Sequence, residues 1–180
     1  KAWNGGTIQK PEKLWITDLQ MPGEASLEMH ASSSIYYSQG ELPLYTQSLN
    51  ALKLSFSDIV KSEYLPAKIR LWIDANNDEA FDDATELYEV LLEENQSVCW
   101  AELDLTKLSN ISDGKHRMRI MLSTADGYSQ FRANGKIAWG HIIDLKAVVH
   151  KAKSPQEREL SISSIEELQT KRNLSASTPI

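Results

Sequence analysis

Short segments in which apolar and polar residues alternate are the feature that most constrains the fold of this 180-residue chain. Alternation places every second side chain on one face, which is typical of half-buried β-strands. Pairs that favour tight turns, Asp-Gly, Asn-Gly and Pro-Gly, separate the segments. The clearest apolar positions are Leu52, Leu54, Phe56; Ile69, Leu71, Ile73; Cys99, Ala101, Leu103, Leu105; Met118, Ile120, Leu122; and Ile143, Leu145, Ala147, Val149. The pattern predicts an all-β protein, an antiparallel β-sandwich of about seven to nine strands.

Composition divides the chain into three parts. Residues 1–12 form a polar lead that contains glycine, residues 13–150 hold the alternating segments, and residues 151–180 are rich in Lys, Ser, Pro, Glu and Gln. We expect one β-sandwich domain over residues 13–150 and a polar tail or linker after it. The amino terminus has neither an initiator Met nor the core of a signal peptide, so we expect a piece of a larger protein.

Charge and hydropathy exclude two classes of partner. The net charge is −6, and no stretch interleaves basic and aromatic residues, so no nucleic-acid partner is expected. No run approaches the ~20 apolar residues of a membrane helix, so no membrane span is expected. The single cysteine, Cys99, rules out an intramolecular disulfide and a zinc site of several thiolates, and is expected in the core.

An acidic loop follows directly on one of the apolar strands, in the stretch IRLWIDANNDEAFDDATE (Ile69–Glu86). Carboxylates this close together repel one another unless they are solvated or neutralised, and hard oxygen ligands at this spacing suit Ca²⁺. The best candidate ligands are Asp74, Asn76 and Asp78, with a backbone carbonyl near Ala80, and then Asp83, Glu86 and Asp82. A solvated acidic turn that holds no ion is the alternative.

The loop departs from the EF-hand pattern at two positions. Glu79 stands where that pattern has glycine, and Thr85 stands where it has the terminal glutamate. The segment before the loop also alternates as a strand rather than a helix. An EF-hand is therefore disfavoured, and Glu79 is expected to resist a positive φ and to weaken ion affinity.

Catalytic patterns are not found in the sequence. His116, His141 and His150 fall in different strands or at their ends, and neither HExxH nor GxSxG occurs. Glu102 and Asp104 share the outward face of one strand, which is more typical of solvated side chains than of an acid/base pair. We expect no enzymatic activity, although spacing alone leaves a carboxylate pair for glycoside hydrolysis open.

Aromatic residues raise a second kind of function. Five tryptophans and six tyrosines are present, and rings of this type stack on sugar faces in carbohydrate-binding modules. Trp72 faces opposite to Leu71 and Ile73, while other rings fall in or near loops: Tyr36, Tyr37, Tyr45, Tyr128 and Phe131. The alternative is that these rings pack the core of a sandwich or its rim.

Three segments together resemble the GEVED domain family. They are the loop DANNDEAFDDATE, the strand RMRIMLS and the stretch Trp139–Val148, WGHIIDLKAV. The family pairs a loop of the form D-x-N-x-D-G-x-F-x-D-x-x-E with a closing G-E-V-E-D-Y strand, and LWITDLQ (Leu14–Gln20) resembles its opening strand. In this chain His141 and Ile143 replace the two closing glutamates, while Gly140 and Asp144 remain.

The resemblance, which spans about residues 13–150, implies a non-catalytic β-sandwich that works outside the cytoplasm. Such modules are secreted or displayed on the cell surface, extracellular or periplasmic, and are fused to a protease, an adhesin or another surface protein. The expected partners are neighbouring domains of the same chain and an extracellular protein or glycan. A carbohydrate-binding module and a domain of a secreted hydrolase are the alternative functions.

Overall fold

A computed structural model describes residues 6–10, 14–124, 132–160 and 169. In these ranges the chain forms ten β-strands and two short 3-10 helices, and residues 155–160 are helical. The strands are β1 (Thr7–Lys10), β2 (Ile16–Gln20), β3 (Leu27–Glu28), β4 (Tyr36–Tyr45), β5 (Ala51–Phe56), β6 (Lys68–Ile73), β7 (Leu87–Leu91), β8 (Val98–Glu102), β9 (Gly114–Ser123) and β10 (Lys136–His150). The 3-10 helices span Ser62–Tyr64 and Leu105–Lys107. None of the helices described has the length and hydropathy to cross a membrane.

The strands form two sheets, as the all-β prediction requires. The larger sheet has the order β1-β10-β9-β6-β7, and β4 pairs with the second half of the long strand β10. The smaller sheet has the order β3-β2-β5-β8. The acidic loop connects β6 to β7, which lies at one edge of the larger sheet.

The prediction of a wholly antiparallel sandwich is wrong, because the larger sheet is mixed. Strands β1 and β4 both run parallel to β10, whereas β9, β6 and β7 pair antiparallel with their neighbours. Alternation in a sequence shows which face a side chain takes, but it carries no information on strand direction. β4 and β10 are also far apart in the chain, so no hairpin turn signals their pairing.

One hydrophobic core joins the two sheets. The alternating positions of β5, β6, β9 and β10 lie in it, together with Leu42 and Leu44 of β4. Cys99 is buried in the same core, as predicted. The faces that the sequence assigns to these strands are therefore confirmed, and the sheets pack against each other through them.

A second, smaller hydrophobic cluster covers the outer face of the larger sheet. It contains Trp72, Met121, Ala133, Ile137 and Ile142, with Ile35, Phe81 and Leu87 packed against it. Trp72 faces away from Leu71 and Ile73, as alternation predicts, but it is fully buried. Trp72 therefore cannot serve as a platform for a sugar, because chain segments outside the sheet cover its ring.

The closing strand β10 has a glycine where it passes β9. Gly140 pairs with Ser123 and has a φ of 151°, and a Cβ at this position would collide with the carbonyl oxygen of Leu122. Only glycine combines this backbone conformation with so close an approach of two strands. Gly140 therefore permits the close approach of β9 and β10 at this point.

Residues on either side of the predicted 13–150 domain also contact it. β1 lies in the predicted lead and pairs with β10. After β10, Ser154 donates its N–H to Ser48 Oγ at 2.6 Å, and the carboxylate of Glu157 accepts from Leu49 N–H at 3.1 Å. The first part of the predicted tail, residues 151–160, is thus held against the turn between β4 and β5. The domain boundaries themselves stay predictions.

Candidate metal centre

The first residue of the acidic loop is fixed by the strands on either side of it. Asp74 follows β6, and its backbone N–H donates to Arg117 O of β9 at 2.9 Å. Its carbonyl oxygen lies 2.8 Å from Nδ1 of the buried His116. Asp74 is only 1% exposed, so the loop begins with a carboxylate held below the surface.

The first half of the loop winds around the Asp74 carboxylate. The two carboxylate oxygens of Asp74 accept from the backbone N–H groups of Asp78 at 3.1 Å and Glu79 at 2.9 Å. Asn76 Oδ1 accepts from Asp78 N–H at 3.2 Å, and Asp78 Oδ1 accepts from Ala80 N–H at 2.9 Å. The side-chain oxygens at positions one, three and five therefore belong to one tight turn, as their alternation predicts.

Glu79 adopts a positive φ. The EF-hand pattern and the GEVED loop both have glycine at this position. Its φ is 68°, and that of Asn77 is 55°. The turn is kept because Glu79 N–H still donates to Asp74, while the Glu79 carboxylate lies 3.5 Å from Arg117. Glu79 was expected to resist a positive φ. The turn nevertheless keeps its shape, and Glu79 is strained within it.

That strain is testable by comparing two variants. Glu79→Gly is expected to be about 1 kcal/mol more stable than Glu79→Ala, because both lose the contact with Arg117 and only glycine relieves the left-handed conformation. Urea unfolding of the two variants in the absence of Ca²⁺ measures the difference. Equal stabilities would show that position 79 is not strained.

The second half of the loop is closed by Glu86, which is 4% exposed. Its two carboxylate oxygens accept from Ala75 N–H at 3.0 Å and from Asp82 N–H at 2.8 Å. Glu86 thus joins the start of the loop to its second half. The side chain of Asp82 is exposed and accepts from Ala84 N–H at 2.8 Å.

Asp83 has a different role from the other predicted ligands. Its carboxylate accepts from the indole N–H of Trp72 at 2.7 Å, and the ring of Phe81 lies 6.4 Å from the Trp72 ring. The loop therefore folds back over the outer face of the larger sheet and covers the second hydrophobic cluster. A hydrogen-bonding partner for Trp72 was not predicted, although the indole N–H of a buried tryptophan requires an acceptor.

Two buried carboxylates dominate the electrostatics of the loop. Burial raises the pKa of Asp74 above its ordinary value, and the hydrogen bonds from Glu79 and Asp78 oppose this only in part. Burial also raises the pKa of Glu86, and the nearby charges of Asp74 and Asp78 raise it further. Within the described ranges neither Asp74 nor Glu86 forms an ion pair with Lys, Arg or His. A bound cation would relieve both effects.

The donor set fits a hard cation only in part. Carboxylate and amide oxygens are what Ca²⁺ prefers. Among the residues that the structure describes, however, no group of three or more His, Cys, Asp or Glu side chains is arranged to hold a metal ion. An ion here would therefore need the Asn76 amide oxygen and the carbonyl near Ala80 beside the carboxylates. The Ca²⁺ assignment stays a prediction.

The closing strand contributes a buried ion pair to the same side of the sheet. Arg119 of β9 lies opposite Asp144 of β10, and its Nε and one terminal nitrogen donate to the two carboxylate oxygens at 2.6 and 2.7 Å. Both side chains are buried, and Arg119 also donates to Ala133 O at 2.6 Å. The guanidinium lies 6.0 Å from the Phe81 ring, which links the pair to the acidic loop.

A comparison with known protein families matches the part of the chain that holds the acidic loop and the buried ion pair. The model of the GEVED domain matches residues 68–146, from the start of β6 into β10. The chain contains a GEVED domain. The match covers the acidic loop and both members of the Arg119–Asp144 pair, whereas Leu14–Gln20 lies outside it. No curated protein matches the chain.

One residue of the buried ion pair, Asp144, belongs to the closing signature of the GEVED family, and the other, Arg119, does not. Asp144 is the aspartate of the signature, and Gly140 is its glycine. Arg119 was not predicted as its partner, yet one signal was present: Arg119 lies between Met118 and Ile120, on the face opposite to the main core. A charged residue on a strand buried on both faces needs an opposite charge nearby.

His141 replaces the first glutamate of the GEVED signature and is fully buried. Its Nδ1 accepts from Ile16 N–H at 3.1 Å, which leaves Nε2 to donate to His30 O at 2.7 Å. His141 thus ties β10 to the start of β2 and to the segment after β3. The side chain of His30 itself faces the solvent.

Proposed function

We propose that this GEVED domain is a non-catalytic accessory module of a larger secreted or cell-surface protein, and that Ca²⁺ bound in the 74–86 loop stabilises it. The observation that carries the proposal is the pair of buried carboxylates, Asp74 and Glu86, which lack a basic partner within the described ranges. Two carboxylates that are shielded from water favour the binding of a divalent cation. Outside the cell, sites of this kind bind Ca²⁺ with Kd values of about 10⁻⁴–10⁻³ M.

The polar groups best suited to catalysis support a structural role. His141 uses both ring nitrogens in hydrogen bonds to the backbone, and the ring nitrogens of His116 contact the carbonyl oxygens of Asp74 and Ser112. Burial raises the pKa of the Cys99 thiol to about 12, so thiolate chemistry is suppressed. The proposed work of the domain is to hold or orient neighbouring modules, or to contact an extracellular partner such as an adhesion ligand.

The bound ion would act on the connection between β6 and β7. Asp74, Asn76, Asp78 and Glu86, with Asp82 nearer the solvent, would supply oxygens, while Asp83 stays on Trp72. The ion would offset the repulsion between the carboxylates and fix the loop over the outer face of the larger sheet. Binding only to the folded state then raises stability by mass action.

Thermal unfolding with EDTA and with about 10 mM Ca²⁺ tests the proposal. We expect Ca²⁺ to stabilise the domain by about 1.5–2.7 kcal/mol for Kd values in that range, a shift of several degrees in Tm. Asp78→Ala, at an exposed loop position, is expected to abolish the shift. Glu94→Ala, an exposed acidic residue outside the loop, is the matched control and is expected to retain it. A Tm that Ca²⁺ leaves unchanged in the wild-type chain would contradict the proposal.

A further inference from the structure

The outer face of the smaller sheet carries an exposed tryptophan that the accessory role does not use. Trp100 of β8 is 55% exposed, although its neighbours in the chain, Cys99 and Ala101, are buried in the core. Its side chain forms no hydrogen bond within the described part of the chain, so the indole N–H has no partner there. An exposed ring of this size with an unused donor is suited to binding.

The residues around Trp100 form a polar row across the sheet. Trp100 pairs with Lys53 of β5, and Lys53 pairs in turn with Gln20 of β2. Lys53 Nζ lies 6.0 Å from the centre of the Trp100 ring. The next rows place Asp18 beside Ser55 and Ala51 beside Glu102. Hydrogen-bond donors and acceptors of both charges therefore surround one flat apolar ring.

A shallow depression lies beside the ring. It has a volume of about 280 Å³, and its walls are the turn after β2, residues Met21–Gly23, together with Gln20, Lys53 and Trp100. This volume is close to the lower end of small-molecule sites in proteins. The depression is separate from the acidic loop, which belongs to the other sheet.

From these observations we propose that Trp100, Lys53 and Gln20 form a binding site for a neutral sugar ring of a glycan. The indole would stack on the apolar C–H face of a pyranose, while Lys53, Gln20 and the free indole N–H would bond its hydroxyls. Hydroxyl groups both donate and accept, which matches a mixed set of polar side chains.

Charge and area favour this occupant over others. Asp18 and Glu102 on the same face disfavour an anionic ligand such as a sulfated glycan or a phosphate. A stable protein interface buries about 800 Å² on each partner and has an apolar centre, whereas the side chains around Trp100 on this face are mostly polar or charged: Asp18, Gln20, Lys53 and Glu102. A neutral polyol with one apolar face fits these limits.

The site uses none of the aromatic residues that loop position suggests. Tyr45 stacks on His150 at 5.1 Å between ring centres, and Tyr36 lies against His30 and His141. Tyr37 is 57% exposed but belongs to the larger sheet, while Tyr128 and Phe131 lie outside the described residues. Of the residues that the structure describes, Tyr36, Tyr37 and Tyr45 are therefore not gathered into one platform.

Titration of the full chain with cellohexaose, chitohexaose and maltohexaose tests the proposal, with the indole N–H resonances followed by NMR. We expect at least one of the three to give saturable binding that shifts the Trp100 indole signal. Trp100→Ala should weaken that binding at least about tenfold, Trp100→Phe should retain part of it, and Gln20→Ala should reduce it. Tyr37→Ala, an exposed aromatic residue of the other sheet, is the matched control and should bind as the wild type.

Three results would overturn the sugar site. The first is that none of the three hexasaccharides binds when each is present at about 10 mM. Any Kd would then be larger than about 10 mM, too weak for a binding site. The second is binding that Trp100→Ala leaves unchanged. The third is self-association of the chain that Trp100→Ala abolishes, which would assign this face to a second copy. Because Trp100 is exposed, its variants are expected to unfold at the wild-type temperature, and this is checked first.

Discussion

Replacing Arg119 by methionine is expected to lower the free energy of unfolding by about 3–5 kcal/mol. The variant leaves the carboxylate of Asp144 buried without its bidentate partner, and it removes the hydrogen bond to Ala133 O. Urea unfolding at neutral pH measures the loss. Arg70→Met is the matched control: the Arg70–Glu89 pair is equally short at 2.6 Å but partly exposed, so we expect a loss of about 1 kcal/mol or less.

A double variant separates the net contribution of the ion pair to stability from the destabilisation that an unpaired buried charge causes. Burial raises the pKa of Asp144 above its ordinary value although Arg119 lowers it, so the desolvation of the carboxylate exceeds its attraction to the guanidinium. Arg119→Met combined with Asp144→Leu is therefore expected to recover most of the loss, because no unpaired charge remains. If the double variant is as unstable as Arg119→Met alone, the unpaired charge of Asp144 is not the cause of the loss. A free energy of unfolding that Arg119→Met lowers by less than about 1 kcal/mol would also contradict the prediction.

Acidification is expected to destabilise the domain through His141. Burial lowers the pKa of His141 from its ordinary value of 6.5 to about 4, although the hydrogen bond to His30 O favours the protonated ring. Between these two values the unfolded chain binds the proton and the folded domain does not, so stability falls as the pH falls. The contribution of His141 amounts to about 2 kcal/mol by pH 5 and about 3 kcal/mol near pH 4.

Comparison with a variant isolates this effect from the carboxylates. Burial raises the pKa of both Asp74 and Glu86, so these groups oppose the trend as they take up protons. His141→Gln keeps a side-chain donor and removes the titration, and its stability should depend less on pH between 6.5 and 4.5 than that of the wild type. His30→Gln, at an exposed site, should keep the wild-type dependence. Parallel curves for the wild type and His141→Gln would contradict the account.

Local sequence predicts the faces of the strands well and their directions poorly. Leu54 and Leu71 are buried as alternation predicts, because the side-chain period of two is a property of each strand by itself. The parallel pairing of β4 with β10 depends on contacts between residues far apart in the chain, which no local pattern encodes. The second hydrophobic cluster was missed for the same reason, since Trp72 and Phe81 meet only after the acidic loop folds back.

The candidate site was predicted in its composition and only partly in its geometry. The alternation of Asp74, Asn76 and Asp78 correctly indicated one tight turn, because oxygens at these positions can accept from successive backbone N–H groups. Spacing could not show that Asp83 binds Trp72 instead of facing the turn. Nor could it show that Glu86 is buried, since burial depends on segments from elsewhere in the chain, and Leu108 and Ser109 lie beside Glu86.

Calorimetric titration of the metal-free chain with Ca²⁺ tests the central claim most directly. We expect binding of one ion per chain with a Kd of about 10⁻⁴–10⁻³ M, and no binding heat in Asp78→Ala, while Glu94→Ala binds as the wild type. The same titration with Mg²⁺ should give a weaker signal, because a loop of this kind does not offer the strict octahedral geometry that Mg²⁺ demands. The absence of Ca²⁺ binding to the wild-type chain, or equal binding by Asp78→Ala, would contradict the assignment of the 74–86 loop as a calcium site.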